Sequence, residues 1–288
     1  MLIDAHHHLW QYSPSEYGWI SEQMQVLRRD FLAVDLHEVA QAVGVDGFVS
    51  VQARQSLAET EALLEIAQQD PLVLGVVGWV PLAADNLCDQ LDRLCQSPWL
   101  KGVRHVVQDE PDDRFLLGEA FNRGVAALRR YGLVYDVLIY ARQLPAAIEF
   151  ADMHPAQPLV LDHIAKPTIA AEFDHRWETN FHELAKREHV TCKFSGVVTE
   201  IRDQAAIGSN AGQPTDWSID QIRRYWDVAL EAFTPKRLMF GSDWPVCLLR
   251  TPYARWVNTV RELAGSLSPD EQADLFAGNA ISAYNLQI

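Results

Sequence analysis

Positive charge is scarce in this chain, where 24 lysines and arginines stand against 39 acidic residues for a formal net charge of -15. Such a field repels phosphate backbones and anionic membrane surfaces, so neither nucleic acid nor a membrane is an expected partner. No run approaches the roughly 20 apolar residues needed to span a bilayer. The opening segment Met1 to His6 lacks a basic region followed by an apolar one, so a cytoplasmic protein is expected. Cysteine is sparse as well. Cys88, Cys95, Cys192 and Cys247 show no Cys-x-x-Cys spacing, which argues against a disulfide framework or a thiolate zinc site and leaves buried free thiols as the expectation.

Several catalytic signatures are missing. His37-Glu38 runs on into Val39-Ala40-Gln41, so the zincin His-Glu-x-x-His is not formed. There is no Gly-x-Ser-x-Gly elbow to present a nucleophilic serine, and Ser195 sits in Phe194-Ser195-Gly196 without a matching motif. Without a Gly-x-x-x-x-Gly-Lys-Ser/Thr loop, nucleotide hydrolysis has no footing.

What the chain does have is regular alternation. Its 288 residues, 48% of them hydrophobic, suffice for one large core. Short β-rich runs recur at Leu2 to His6, Gly47 to Gln52, Val73 to Val80, Gly102 to Val107, Leu133 to Leu138, Leu159 to His163, Val190 to Ser195 and Leu238 to Asp243. Between them lie amphipathic stretches, such as Phe121, Val125 and Leu128, or Ile222, Trp226, Ala229 and Phe233. Strands alternating with helices predict parallel pairing. Eight of them, with no dinucleotide-binding glycine fingerprint and no mid-chain linker, predict a closed (β/α)₈ TIM barrel in one domain, residues 1–288. Two stretches interrupt the rhythm: residues 11–30, rich in aromatics, and residues 202–217, rich in Gly, Asn, Gln and Ala. Both leave the C-terminal ends of strands, where barrels build active sites, and are candidate lids or pocket walls.

His6-His7-His8 closes the first strand. Side chains alternate along a strand, so His6 and His8 point one way and His7 the other. At the mouth of a barrel the shared direction is inward, where imidazoles can ligate a metal or donate hydrogen bonds to a developing oxyanion. Asp243, in Gly241-Ser242-Asp243-Trp244-Pro245, sits at the tip of the last strand and shares that mouth; its carboxylate suits a general base. His163, ending Leu159-Val160-Leu161-Asp162-His163 just before Lys166-Pro167, is a third inward candidate.

His-x-His ending strand one, a histidine ending a middle strand and Gly-Ser-Asp-Trp-Pro ending strand eight together resemble the amidohydrolase superfamily, in the lactonase branch that includes L-fuconolactonases and 2-pyrone-4,6-dicarboxylate lactonase. Further blocks resemble sugar lactonases along almost the whole chain: Val51-Gln52-Ala53-Arg54, Lys101 to His105, Gln108-Asp109-Glu110, Tyr135 to Leu138, Arg142 to Pro145 and Lys193 to Gly196. The resemblance implies a (β/α)₈ barrel that hydrolyses a small-molecule sugar lactone, an aldonolactone such as L-fuconolactone. It assigns His6, His8 and His163 to polarising the lactone carbonyl, directly or through a metal, and Asp243 to deprotonating water and then returning the proton to the ring oxygen. Gln52, Arg54, Arg104, His105 and Lys166 are candidates for gripping the substrate, and Trp79 and Trp244 for stacking on a sugar face. Strand four offers no lysine to bridge two metals and strand five no histidine, so a binuclear centre is not expected. His6, His8 and Asp243 suffice for a single Zn²⁺, and metal-independent catalysis is equally allowed. A metal-dependent decarboxylase of the same superfamily and a barrel that only binds sugar acids are the competing readings.

Overall fold

The computed structural model describes residues 1–202 and 217–288. Eight parallel strands follow one another around a barrel in chain order: β1 (Ile3–His7), β2 (Gly47–Val51), β3 (Val73–Gly78), β4 (Leu100–Val106), β5 (Val134–Leu138), β6 (Leu159–Leu161), β7 (Val190–Phe194) and β8 (Leu238–Phe240). The seam between β8 and β1 is closed beyond the end of β8. There His7 bridges Trp244, the Asp243 amide donates to the His6 carbonyl at 2.8 Å, and the His8 amide donates to the Trp244 carbonyl at 2.7 Å.

Helices α1 (Ala33–Val43), α2 (Leu57–Gln69), α3 (Leu87–Leu94), α4 (Glu119–Leu128), α5 (Leu144–Met153), α6 (His175–Ala185), α7 (Ile219–Arg237) and α8 (Tyr253–Leu263) form the outer layer. Each strand serves two cores because its side chains alternate. On β2, Phe48 packs outward in the large cluster beneath the helices, while Val49 and Val51 join Ile3, Ala5, Val77, Val134, Val160 and Met239 inside the barrel. The helices supply the matching stripe: Phe121, Val125 and Leu128 on α4 and Ile222, Trp226, Ala229 and Phe233 on α7 are buried, as their spacing predicts. After the short α9 (Pro269–Ala273), α10 (Asn279–Tyr284) plugs the barrel, with Ala280 and Tyr284 in its interior cluster. No helix among the described residues is long and apolar enough to cross a membrane.

Two strands are shorter than the apolar runs suggest. β6 ends at Leu161 and β8 at Phe240, because the chain beyond each leaves extended geometry, so His163 and Asp243 sit on turns rather than strand tips. The aromatic stretch 11–30 folds on itself: Trp10 and Phe31 pair at its base, and Trp10 packs 5.8 Å from Tyr17 and 5.8 Å from Trp19. Of the second candidate lid, residues 203–216 lie outside the described residues. The thiols correct one expectation. Cys192 and Cys247 are buried, whereas Cys88 is exposed at the start of α3, on the helix face turned from the core.

Candidate active site

The two first-strand histidines owe their direction to an irregularity. Asp4 pairs with Phe48 and His7 with Ser50, so three steps on β1 match two on β2. One extra residue in a strand re-aims the side chains after it. Ala5 therefore points into the barrel and His6 does too, while His7 turns outward, 2.8 Å from the Ser50 hydroxyl and packed against Phe48. His6 and His8 meet inside with ring centroids 5.0 Å apart, and His163 completes the group 4.4 Å from His6.

His163 arrives on a left-handed turn. His163, Ile164, Ala165 and Lys166 all have positive φ, at 54°, 48°, 60° and 46°. A left-handed conformation costs an L-residue about 1–2 kcal/mol, so this turn is held by its surroundings. The Trp177 indole donates to the Ile164 carbonyl at 2.8 Å, and the His163 Nδ1 lies 2.9 Å from Ser195 Oγ. Asp243, at φ 59°, is the counterpart after β8. Glycines make room for both groups. A Cβ on Gly196, itself at φ 62°, would lie 2.6 Å from His163 Nδ1 and 3.1 Å from Asp243 Oδ2, and one on Gly241 would lie 2.9 Å from His6 Cβ.

Asp243 Oδ1 is the focus of the group, 3.3 Å from His8 Nε2, 3.8 Å from His6 Nε2 and 3.9 Å from His163 Nε2. Burial pushes the Asp243 carboxyl up, but His163, the hydrogen bond and charge of His8, and Lys166 outweigh it and leave the group below its ordinary value. Burial likewise drives His6 well below the usual histidine range, with Asp162 opposing and Lys193 and His163 assisting, and it pushes His163 down to about 4. At neutral pH the cluster is thus a carboxylate beside uncharged rings at His6 and His163.

Among the described residues, two overlapping triplets that share His6 could hold a divalent metal. His8 Nδ1 lies 2.7 Å from the Val51 carbonyl, which only accepts, so Nδ1 carries the hydrogen and Nε2 faces Asp243 Oδ1. Two lone pairs at 3.3 Å call for positive charge between them, either a proton or a metal ion. His6, His8 and Asp243 bring their ligand atoms within 4.8 Å of one another, and His6, Asp162 and His163 form a second such triplet.

Beneath the histidines lies a charge network. Lys193 on β7 is fully buried, with Nζ 2.6 Å from Asp136 Oδ2, 3.1 Å from Asp162 Oδ1 and 3.2 Å from His6 Nδ1. Tyr284 from α10 donates to Asp136 at 2.8 Å, and Arg104 Nη1 donates to Asp162 Oδ2 at 2.9 Å. Lys193, Asp136 and Asp162 carry no role in the sequence reading. Their signal was present, since each is a charge within an apolar strand run at a parity that faces the barrel.

The remaining predicted residues divide. Arg104 reaches the cluster, with Nη1 3.2 Å from His6 Nε2, and Gln52 braces it, accepting from Arg104 Nη2 through its carbonyl while its side-chain Nε2 donates to the Arg104 carbonyl at 3.4 Å. Lys166 acts on His163, Asp243 and the largely buried Glu200 through its charge, and its ammonium lies 5.6 Å from the Tyr140 ring centroid. His105, next to Arg104 on β4, necessarily faces the other way. It contacts Glu110 at 2.8 Å, stacks on Phe115 and accepts from the Trp79 indole at 3.5 Å, so His105 and Trp79 form a separate group. Arg54 pairs with Glu16 at 2.5 Å over Tyr17 and lines a cavity of about 430 Å³ between residues 11–30 and α2. Trp244 corrects its expectation outright. It is 2% exposed, wedged edge-on against Phe31 at 5.3 Å, and has no free face for a sugar.

Residues 3–286 match the family described as amidohydrolase. An L-fucono-1,5-lactonase of Burkholderia multivorans is 41% identical across 99% of this chain and 96% of its own length. An L-fucono-1,5-lactonase of Burkholderia ambifaria is 32% identical across 99% and 95%. The crystal structure of a Burkholderia multivorans amidohydrolase with bound zinc superposes over 100% of both chains, with a TM-score of 0.92 and 40% identity.

Proposed function

This chain belongs to the amidohydrolase family, and from that membership we infer that it is a hydrolase of sugar lactones, its substrate an aldonolactone of the L-fucono-1,5-lactone kind. The observation that carries the chemistry is Asp243 Oδ1 within 3.9 Å of three imidazoles in a buried site. Ionised at neutral pH, Asp243 takes a proton from water as the oxygen attacks the lactone carbonyl carbon. His163, uncharged, can direct a ring N–H at the oxyanion that forms, Arg104 on His6 Nε2 lies on the same side, and the Lys166 ammonium adds positive charge beside it. When the carbon to ring-oxygen bond breaks, Asp243 returns its proton to the departing alkoxide. One carboxylate thus serves both proton transfers, and the product is the open sugar acid. A divalent ion held by His6, His8 and Asp243 would supply Lewis-acid polarisation of the same carbonyl.

Full-length identity to two lactonases favours ester opening over decarboxylation or mere binding. Acid release from a panel of aldono-1,4- and 1,5-lactones, followed with a pH indicator with and without chelator, tests the reading. Turnover of a 1,5-lactone is expected; CO₂ release from aromatic acids with every lactone untouched would contradict it.

A further inference from the structure

Arg104 occupies the nitrogen of His6 that a metal would need. Arg104 is 3% exposed, and its guanidinium is fixed by acceptors on different elements: Asp162 Oδ2 at 2.9 Å from Nη1, the Gln52 carbonyl at Nη2, and His6 Nε2 at 3.2 Å from Nη1. A guanidinium only donates. The lone pair of His6 Nε2 is therefore engaged by a permanent cation, one that is buried and has no solvent into which to swing. The opposite ring atom, Nδ1, lies between Asp162 Oδ1 at 3.3 Å and Lys193 Nζ at 3.2 Å; Lys193 has its own acceptors in Asp136 and Asp162, which leaves Asp162 Oδ1 able to take an Nδ1–H. The other two members of the triplet, His8 Nε2 and Asp243 Oδ1, face each other with no such competitor among the described residues.

We propose that Arg104 is a metal-excluding residue: it competes with a divalent cation for His6 Nε2, so that the site takes a metal only when Arg104 gives this nitrogen up. The cost to the ion is double, since it must displace a formed hydrogen bond and then sit beside a fixed positive charge. Arg104 thereby sets how far the site depends on a metal. The proposal rests on His6, His8 and Asp243 being the ligand set, and it is independent of which lactone is turned over.

Zinc affinity of the metal-free protein, measured by competition with a chromophoric chelator, tests it. Arg104→Gln should bind zinc about tenfold tighter or more, the effect expected for removing a like charge in contact with the site, and adding His8→Ala should abolish the gain. Equal or weaker affinity in the folded variant overturns the proposal, as does a gain that survives His8→Ala. Because Arg104→Gln also loosens Asp162 and can impair folding, a second measurement uses the wild-type chain. With ¹⁵N-labelled histidine, metal-free His6 should show its proton on Nδ1 and an unprotonated Nε2; a proton on Nε2 overturns the proposal. Lactone turnover is scored separately on the same preparation, so failure of the hydrolase reading is told apart from failure of this one.

Discussion

Replacing Lys193 with methionine keeps the length and apolar stem of the side chain and removes one buried charge. Wild-type Lys193 stands 2.6 Å from Asp136 and 3.1 Å from Asp162, with no water-exposed surface. Breaking a buried pair from one side costs about 3–5 kcal/mol, because the partner is left charged and uncompensated. At about 2 °C per kcal/mol for a chain of this size, the melting temperature should fall by roughly 6–10 °C. The pH dependence separates this cause from a packing defect. Burial raises the Asp136 carboxyl to about 6 even with Lys193 in place, against an ordinary value of 3.8, and Lys193 is the largest influence holding it down. Without the ammonium the native pKa rises further. A carboxyl whose native pKa lies above its unfolded value binds protons preferentially in the native state, so the variant recovers stability as pH falls through its raised pKa. The deficit should therefore be full at pH 8 and narrow towards pH 5. Thermal melts of both proteins at each pH provide the check. A deficit equal at pH 8 and pH 5, or a variant as stable as wild type, would refute the electrostatic account of this network.

Gly196→Ala places a methyl group 2.6 Å from His163 Nδ1 at a positive φ; it should lower kcat/KM about 10²-fold by displacing the catalytic groups while the far-ultraviolet circular dichroism stays that of a folded barrel. Wild-type kinetics in that variant would remove His163 from the site. The pH profile of the wild-type enzyme follows from Asp243, whose carboxyl lies below 3.8. The active base form persists above its pKa and is lost only as pH falls through it, so kcat/KM should show no acid limb between pH 7 and pH 5. An inflection near pH 6 in initial-rate data would assign the base elsewhere.

How far the sequence disclosed this site depended on whether side-chain direction could be read. The eight strands were legible because apolar runs and amphipathic helices alternate from Ile3 to Leu263, and β1 and β8 placed His6, His8 and Asp243 near one another. Strict alternation was not enough to derive their geometry. An extra residue between Asp4 and His7 turns His6 to the same side as Ala5, and nothing local in Ile-Asp-Ala-His-His-His announces it. Alternation could, however, have decided between Arg104 and His105, adjacent on β4 and unable to face the same way. Lys193, Asp136 and Asp162 were legible as charges inside apolar strands but need the closed barrel to find one another. Trp244 went astray because a strand-end position says a side chain is near the mouth, not whether Phe31 already claims it.

The central claim is that Asp243 moves the proton in lactone opening, and Asp243→Asn tests it with nearly unchanged size and shape. On the best lactone of the panel, kcat/KM should fall by about 10² or more, the usual contribution of a general base. The comparison is made at matched thermal stability, so that folding is not the cause. Loss of only about threefold would contradict the mechanism, since that is far below what removing the base must cost.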